Sequence, residues 1–161
     1  MTILNLTNDT IYNAVDLYST LLFRICFCHV KNKQDSEDIV QEVFLTLHKN
    51  RPALASQDHL KAWLIKVATN KAKNHLRYNT KKRTLPLDEN IIAKYDLDSD
   101  NADLLNAISK LKPVDKNIVF LYYYDGQSTK QIAKLLNKNE NAISKRLQRV
   151  KQKLKMMLEE K

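Results

Sequence analysis

The sequence predicts an all-α chain of two small helical domains joined by an acidic linker. Three observations predict it. The 161 residues include one glycine and three prolines, too few for the tight turns of a β-sandwich or barrel. Large apolar residues recur at intervals of three and four, the period of a helix with one buried face. The charge is blocked rather than mixed. Residues 1–50 carry four basic and six acidic side chains (net −2), and residues 51–84 carry nine and one (net +8). Residues 85–103 carry one and six (net −5), and residues 104–161 thirteen and five (net +8). Two basic blocks around an acidic one suggest two contacts with a polyanion, insulated from each other; solvated Lys-rich helix faces would give the same pattern.

Composition also excludes several classes. A hydrophobic fraction of 43% with 28% charged residues fits a soluble globular chain. No basic cluster precedes an apolar run at the start, and nothing approaches the ~20 apolar residues that span a bilayer. A cytoplasmic protein with no direct membrane insertion is expected. Cys26 and Cys28 stand two apart in an apolar stretch, and on a helix such residues point to nearly opposite sides. That is poor metal geometry, so packed, reduced thiols are expected. His48, His59 and His75 have no ligand-like company, and no metal or cofactor is expected.

Taken in order, Ile11 to Val30 predicts a helix rich in large apolar residues, among them Val15, Leu17, Leu21, Leu22, Phe23, Ile25 and Phe27. Lys31-Asn32-Lys33-Gln34 ends it, and Asp35 is a suitable cap for a second helix to Asn50, with Glu37 and Asp38 in its first turn. The pattern breaks between Arg51 and Asp58. A third helix runs from His59 to Tyr78, completing a three- to four-helix domain over residues 1–80. Residues 81–103 read as a linker, opening on Lys81-Lys82-Arg83 and turning acidic from Asp88 to Asp103, with Ile91, Ile92 and Tyr95 as its apolar members. The second domain, residues 104–161, starts near Ala102 with Leu104, Leu105, Ile108 and Leu111 at helical spacing, and Pro113 marks entry to the next helix.

Three faces carry chemistry. In the second helix Ile39, Val40, Val43, Phe44 and Leu47 gather on one side, and Asp38, Gln41, Glu42, Leu45 and Lys49 on the other. An acidic and amide stripe with a leucine in its middle fits a protein-docking surface, and equally a solvated face with one exposed Leu. In the third helix Leu60, Leu64, Val67, Ala68 and the stem of Lys71 share one side. Lys66, Asn70, Lys73 and Arg77 line another, flanked by Asn74 and Trp63. Basic residues interleaved with amides suit phosphates and base edges; Trp63 fits either a stacking platform or the core. In residues 127–154, Ile132, Ala133 and Leu136 form the inner face of a short helix starting near Ser128. After a turn capped by Asn139, Ile143, Leu147, Val150 and Leu154 repeat along a longer one. Its outer face holds Asn141, Ser144, Lys145, Gln148 and Gln152, with Arg146 and Arg149 at the sides and Glu140 and Asn141 leading the helix. This is a helix-turn-helix whose second helix fits a major groove; a basic helical hairpin packed on protein is the alternative.

With these residues in hand, the chain resembles an extracytoplasmic-function (ECF) sigma factor over nearly its whole length. Asp35-Ser36-Glu37-Asp38-Ile39-Val40-Gln41-Glu42-Val43-Phe44-Leu45 is similar to the family's region 2.2, and Trp63-Leu64-Ile65 with Asn70 and Arg77 to regions 2.3 and 2.4. Leu111-Lys112-Pro113, Tyr122-Tyr123-Tyr124 and Gln131-Ile132-Ala133-Lys134-Leu135-Leu136 resemble regions 4.1 and 4.2, and Arg146-Leu147 with Lys151 and Leu154 the recognition helix. The resemblance implies that Asp38, Gln41, Glu42 and Leu45 bind the clamp helices of the largest subunit of core RNA polymerase, with the flap as a further contact. Ser56 and Gln57, in the loop Arg51–Asp58, would hold a flipped base of the −10 element, Asn70, Asn74 and Arg77 would support strand opening, and Lys66 and Lys73 are further contacts to the −10 element. Asn139, Glu140, Asn141, Ser144, Lys145, Arg146, Gln148 and Arg149 would read the −35 element. The acidic linker would thread toward the RNA path, and an anti-sigma protein would hold the factor in check.

Three positions depart from the family pattern. Asn137 stands where a glycine is usual, at a turn that needs a left-handed backbone. Lys138 replaces an apolar turn residue, and Asn74 stands where Asp is common. The expected function is binding without catalysis, since no nucleophile–base pair, phosphate-cradling glycine loop or metal cluster is legible. The competing readings are a DNA-binding regulator with a helix-turn-helix output domain and a small nucleic-acid enzyme; the absence of a carboxylate or His cluster beside the basic faces argues against the second.

Overall fold

Thr7 opens the first helix: its hydroxyl accepts the Thr10 N–H at 3.2 Å, and α1 runs over Asn8–Val30. The computed structural model describes residues 3–78 and 102–159. The chain divides into two compact units, Met1–Leu85 and Pro86–Lys161. Among the described residues there are helices and no strand. The run Lys81-Lys82-Arg83 and the linker with Ile91, Ile92 and Tyr95 lie outside them.

In the first unit, α1 begins three residues before its apolar periodicity, because the cap belongs to the polar segment ahead of Ile11. Its second half, from Leu21 to Val30, is buried except at Arg24, since α1 packs against both partner helices. Leu17, on the remaining side, is exposed. Cys26 and Cys28 are buried as packed thiols. Desolvation pushes the Cys26 thiol up to about 12, so it stays protonated at neutral pH.

The second helix, α2 (Lys33–Asn50), corrects the capping expectation. Asn32, not Asp35, is the cap: its Oδ1 accepts the Asp35 N–H at 2.9 Å. Asp35 therefore sits inside the first turn, where an anion favours the helix dipole, and its carboxylate meets His75. Arg51 ends α2 with φ +39 and its N–H on Leu47 O. Its guanidinium reaches back to Leu6 O and Asn8 Oδ1, both at 2.6 Å, and so fastens the N-terminal segment to the end of α2.

The third helix, α3 (Gln57–Tyr78), starts two residues earlier than its pattern, with Ser56 Oγ accepting the His59 N–H at 3.3 Å. Leu60, Leu64, Ile65, Ala68, Thr69 and Ala72 are buried; Val67 and Lys71 are only half-buried. The three helices pack pairwise, and Leu22, Ile25, Val43, Leu47, Leu60 and Leu64 form a core closed to solvent. Removing one such leucine to alanine costs about 2–5 kcal/mol.

The second unit opens with α4 (Ala102–Ser109), burying Leu105, Ile108 and, just past its end, Leu111. α5 (Pro113–Val119) takes Pro113 at its first position, where the missing N–H costs nothing. It runs into a π-helical turn, Phe120–Tyr124, in which the Asp125 N–H reaches Phe120 O at 3.0 Å. The turn keeps Phe120 and Leu121 buried while Tyr123 faces out, and Lys151 stands 5.0 Å from the Tyr122 ring centre. Gly126, the chain's one glycine, carries φ +67 with nothing near the place of a Cβ. Backbone conformation, not space, selects it there.

Ser128 caps α6 (Thr129–Leu135) in a full capping box with Gln131. Ile132, Ala133 and Leu135 are buried and Leu136 only half so, because the helix ends at Leu135 and the chain turns under it. α7 (Glu140–Glu159) buries Ile143, Leu147, Val150 and Leu154, the predicted inner face.

Candidate functional site

Three exposed faces emerge from this packing. On α2, burial of Ile39, Val40, Val43, Phe44 and Leu47 leaves Asp38, Gln41, Glu42 and Leu45 exposed together. Leu45 is 62% exposed, so the leucine does stand on the acidic face. Beside it lies a groove of about 460 Å³ between α1 and α2, lined by Ile11, Tyr12, Val15, Gln41, Phe44 and Leu45 among others. Tyr12 is also exposed, and Asp16 of α1 adds a carboxylate nearby in the sequence. A trough lined by Ile11, Val15, Phe44 and Leu45 suits the apolar ridge of a partner helix.

On α3, Lys66, Asn70, Lys73, Asn74 and Arg77 are all exposed and follow one stripe of the helix. Trp63 is half-buried, neither pure core nor open platform. At the head of the stripe, Ser56 spends its hydroxyl as the α3 cap. Gln57 Oε1 accepts from Tyr18 Oη at 3.4 Å, and Lys61 Nζ stands 6.0 Å from the Tyr18 ring centre. At its far end His75 Nε2 lies 2.9 Å from Asp35 Oδ2. His75 thus has a carboxylate neighbour that the sequence did not suggest. Lys71 Nζ lies 3.8 Å from Glu42 Oε2, so this ion pair and the His75–Asp35 contact both tie α2 to α3.

In the second unit the helix-turn-helix is complete. After α6, Asn137 takes φ +53, the left-handed conformation expected at that turn. The Asn137 N–H bonds Lys134 O at 3.3 Å and the Lys138 N–H bonds Ala133 O at 2.8 Å, a Schellman pair that closes α6. Lys138 itself is exposed, so its side chain adds no apolar packing to the turn. Asn139 caps α7, its Oδ1 accepting the Asn141 N–H at 2.8 Å. Asn139, Glu140, Asn141, Lys145, Gln148 and Arg149 are exposed and Ser144 half-buried. Glu140 Oε1 also accepts from Thr129 Oγ1 at 3.3 Å. Arg146 behaves differently from its neighbours: its Nη1 holds Asp115 Oδ1 of α5 at 2.9 Å.

Known proteins carry the same order of parts. The model for Sigma-70 region 2 matches residues 14–82 and that for Sigma-70 region 4 matches residues 101–154. The RNA polymerase sigma factor SigV of Bacillus subtilis is 30% identical over 138 residues, covering 84% of this chain and 81% of its own. This chain belongs to the ECF sigma factors. The ECF sigma factor BldN of Streptomyces coelicolor is 28% identical over 145 residues, 84% of this chain. The matched part spans 55% of BldN's length. Among solved structures, the sigma factor RpoE of Bartonella quintana, crystallised with the anti-sigma factor NepR, shares the fold. Its TM-score is 0.67 at 17% identity, covering 95% of this chain and 98% of that one.

Two residues of this ECF sigma factor's faces escaped the sequence. Tyr12 and Tyr18 both come from α1, whose apolar residues run nearly all round, so no amphipathic contrast singled either out. Among the described residues no group of three His, Cys, Asp or Glu side chains is arranged to hold a metal. None of their helices is long and apolar enough to cross a membrane.

Proposed function

We propose that this chain gives core RNA polymerase its promoter and acts by binding alone. Residues 1–80 dock on the polymerase and open the −10 element, residues 81–103 link, and residues 104–161 read the −35 element. The observation that carries this reading is the pairing, within one three-helix unit, of an acidic face around Leu45 with a separate basic and amide stripe on α3. A DNA-binding regulator needs the second face and has no use for the first.

In the proposed mechanism Asp38, Gln41, Glu42 and Leu45 hold the clamp helices of the largest polymerase subunit, with the Tyr12 groove widening the contact, and the flap is a further contact. Asn139, Glu140, Asn141, Ser144, Lys145, Gln148 and Arg149 meet the −35 duplex. Ser56 and Gln57, at the start of α3, face the flipped −10 base, and Lys66, Asn70, Lys73, Asn74 and Arg77 track the separated strand. Unstacking a base costs a few kcal/mol, and capture of the base with phosphate contacts offsets it. The acidic linker follows the path of nucleic acid through the enzyme. The site of action is the cytoplasm. An anti-sigma protein restrains the factor, a reading supported by the RpoE–NepR complex of the related fold.

The test is reconstitution with core polymerase, followed by run-off transcription from promoters selected out of a random library. Promoter-dependent transcripts are expected. A folded protein that yields none, or that binds duplex DNA tightly without associating with core, overturns the proposal in favour of a free-standing regulator.

A further inference from the structure

The last turn and a half of α3 is held to the rest of its unit in an unusual way. Ala72 is the final buried residue of the helix. From Lys73 to Tyr78 every side chain is exposed except His75, which is half-buried. Its Nε2 lies 2.9 Å from Asp35 Oδ2, with the two side chains only 22% and 16% exposed. Asp35 is in the first turn of α2 and His75 in the last turn of α3. The Asp35 carboxylate therefore sits at the helix end whose dipole favours an anion. Asn74 and Arg77, two of the residues proposed to support strand opening, flank His75.

We propose that His75 is a positioning residue for promoter opening. Paired with Asp35, it fixes the terminal turn of α3 against the start of α2, so that Asn74 and Arg77 meet the separated strand in a set orientation. Without the pair this turn has no buried apolar residue to hold it, and helix ends frayed in this way lose order first. The pair differs from the proposed docking residues by its burial: Asp35 is only 16% exposed against His75, whereas Asp38, Gln41, Glu42 and Leu45 are exposed. The inference rests on the sigma-factor reading and assigns a residue within it.

The experiment uses the full chain reconstituted with core polymerase on a selected promoter. Affinity for core is read by competition, and strand opening by permanganate reactivity of unpaired thymines. His75→Leu and Asp35→Ala are each expected to lower the opened fraction about fivefold, the scale of a side-chain hydrogen bond, with core affinity unchanged. The double variant should lose no more than either single one. His75→Gln, which keeps a donor at the same reach, should recover most of the opening. Opening unchanged in His75→Leu overturns the proposal. So does a parallel fall in core affinity and thermal stability, which would make the pair a general brace. Asp35→Ala, made on the other helix, guards against simple misfolding of His75→Leu. A wild-type protein that opens no promoter defeats the sigma-factor reading itself and this inference with it.

Discussion

Arg146 Nη1 lies 2.9 Å from Asp115 Oδ1 and ties the middle of α7 to the first turn of α5. The arginine side chain is 36% exposed and the aspartate 15%, so solvent screens the pair only in part. Arg146→Ala should therefore act mainly on stability. After discounting for exposure the loss is about 1 kcal/mol, or a drop of about 4–8 °C in Tm for a unit of this size. Calorimetry checks this. Base preference at the −35 element should stay that of the wild type; a changed preference would mean that Arg146 leaves Asp115 to read a base.

Asn137 adopts φ +53 at the turn between α6 and α7. An L-residue pays steric strain there, which asparagine bears better than most and glycine does not feel. Asn137→Gly should be neutral or stabilise by up to about 0.5 kcal/mol, and Asn137→Val should destabilise by about 1–2 kcal/mol. Urea titration of the full chain separates the two signs. Equal stability of both variants would mean that the left-handed conformation is not held in solution.

The contrast between these two residues explains what the sequence could reveal. The strain at Asn137 was legible because a helix-turn-helix demands a left-handed residue between two local helices. The role of Arg146 was not, because its partner Asp115 is 31 positions away and no local period announces it. The same distinction separates the two ends of α2. Its inner face followed directly from apolar spacing, but its cap depended on whether Asn32 or Asp35 turned inward, and either residue is a good cap. The π-turn at Phe120–Tyr124 left no trace, since five consecutive large side chains satisfy more than one helical period. Tyr12 and Tyr18 reach the candidate faces from α1, where burial on most sides hides the outward positions.

Leu45 is exposed beside the Tyr12 groove, so changing either should spare the fold. Leu45→Asp is expected to weaken core polymerase binding by about tenfold or more, and Tyr12→Ala by a smaller factor, as for a central anchor and its neighbour. Fluorescence competition for core measures both, with circular dichroism to verify the fold. Core affinity that ignores Leu45→Asp would remove α2 from the docking surface.

Cys26 is closed to solvent and its thiol is pushed up to about 12 by desolvation. A thiol, unlike its thiolate, alkylates poorly, so iodoacetamide at pH 8 should leave Cys26 of the native chain unmodified. In denaturant it should react readily. The sign of the pH effect follows from the direction of the shift. The folded state disfavours the thiolate, so its advantage is whole below the ordinary value of 9.0 and is lost as pH rises toward 12. Stability should fall across that window in the wild type and less so in Cys26→Ala, compared by denaturant melts at pH 8 and pH 10.5. Rapid native alkylation would show that the segment around Cys26 opens.

Asn141 and Lys145 stand one helical turn apart on the open face of α7, both exposed, with the Asn141 N–H already satisfied by the Asn139 cap. Their chemistry predicts different losses. An amide can donate to and accept from one base edge, so Asn141→Ala should relax preference at one −35 position and cost about 1–3 kcal/mol on the best sequence alone. An ammonium meets phosphates without regard to sequence. Lys145→Ala should weaken all duplexes alike and reduce the slope of log affinity against log salt by about 1. Binding of the holoenzyme to a panel of −35 variants at several salt concentrations distinguishes them. If Lys145→Ala changes sequence preference while Asn141→Ala shifts only the salt slope, the two residues have exchanged roles and α7 enters the groove in a different rotation from the one its exposed face implies.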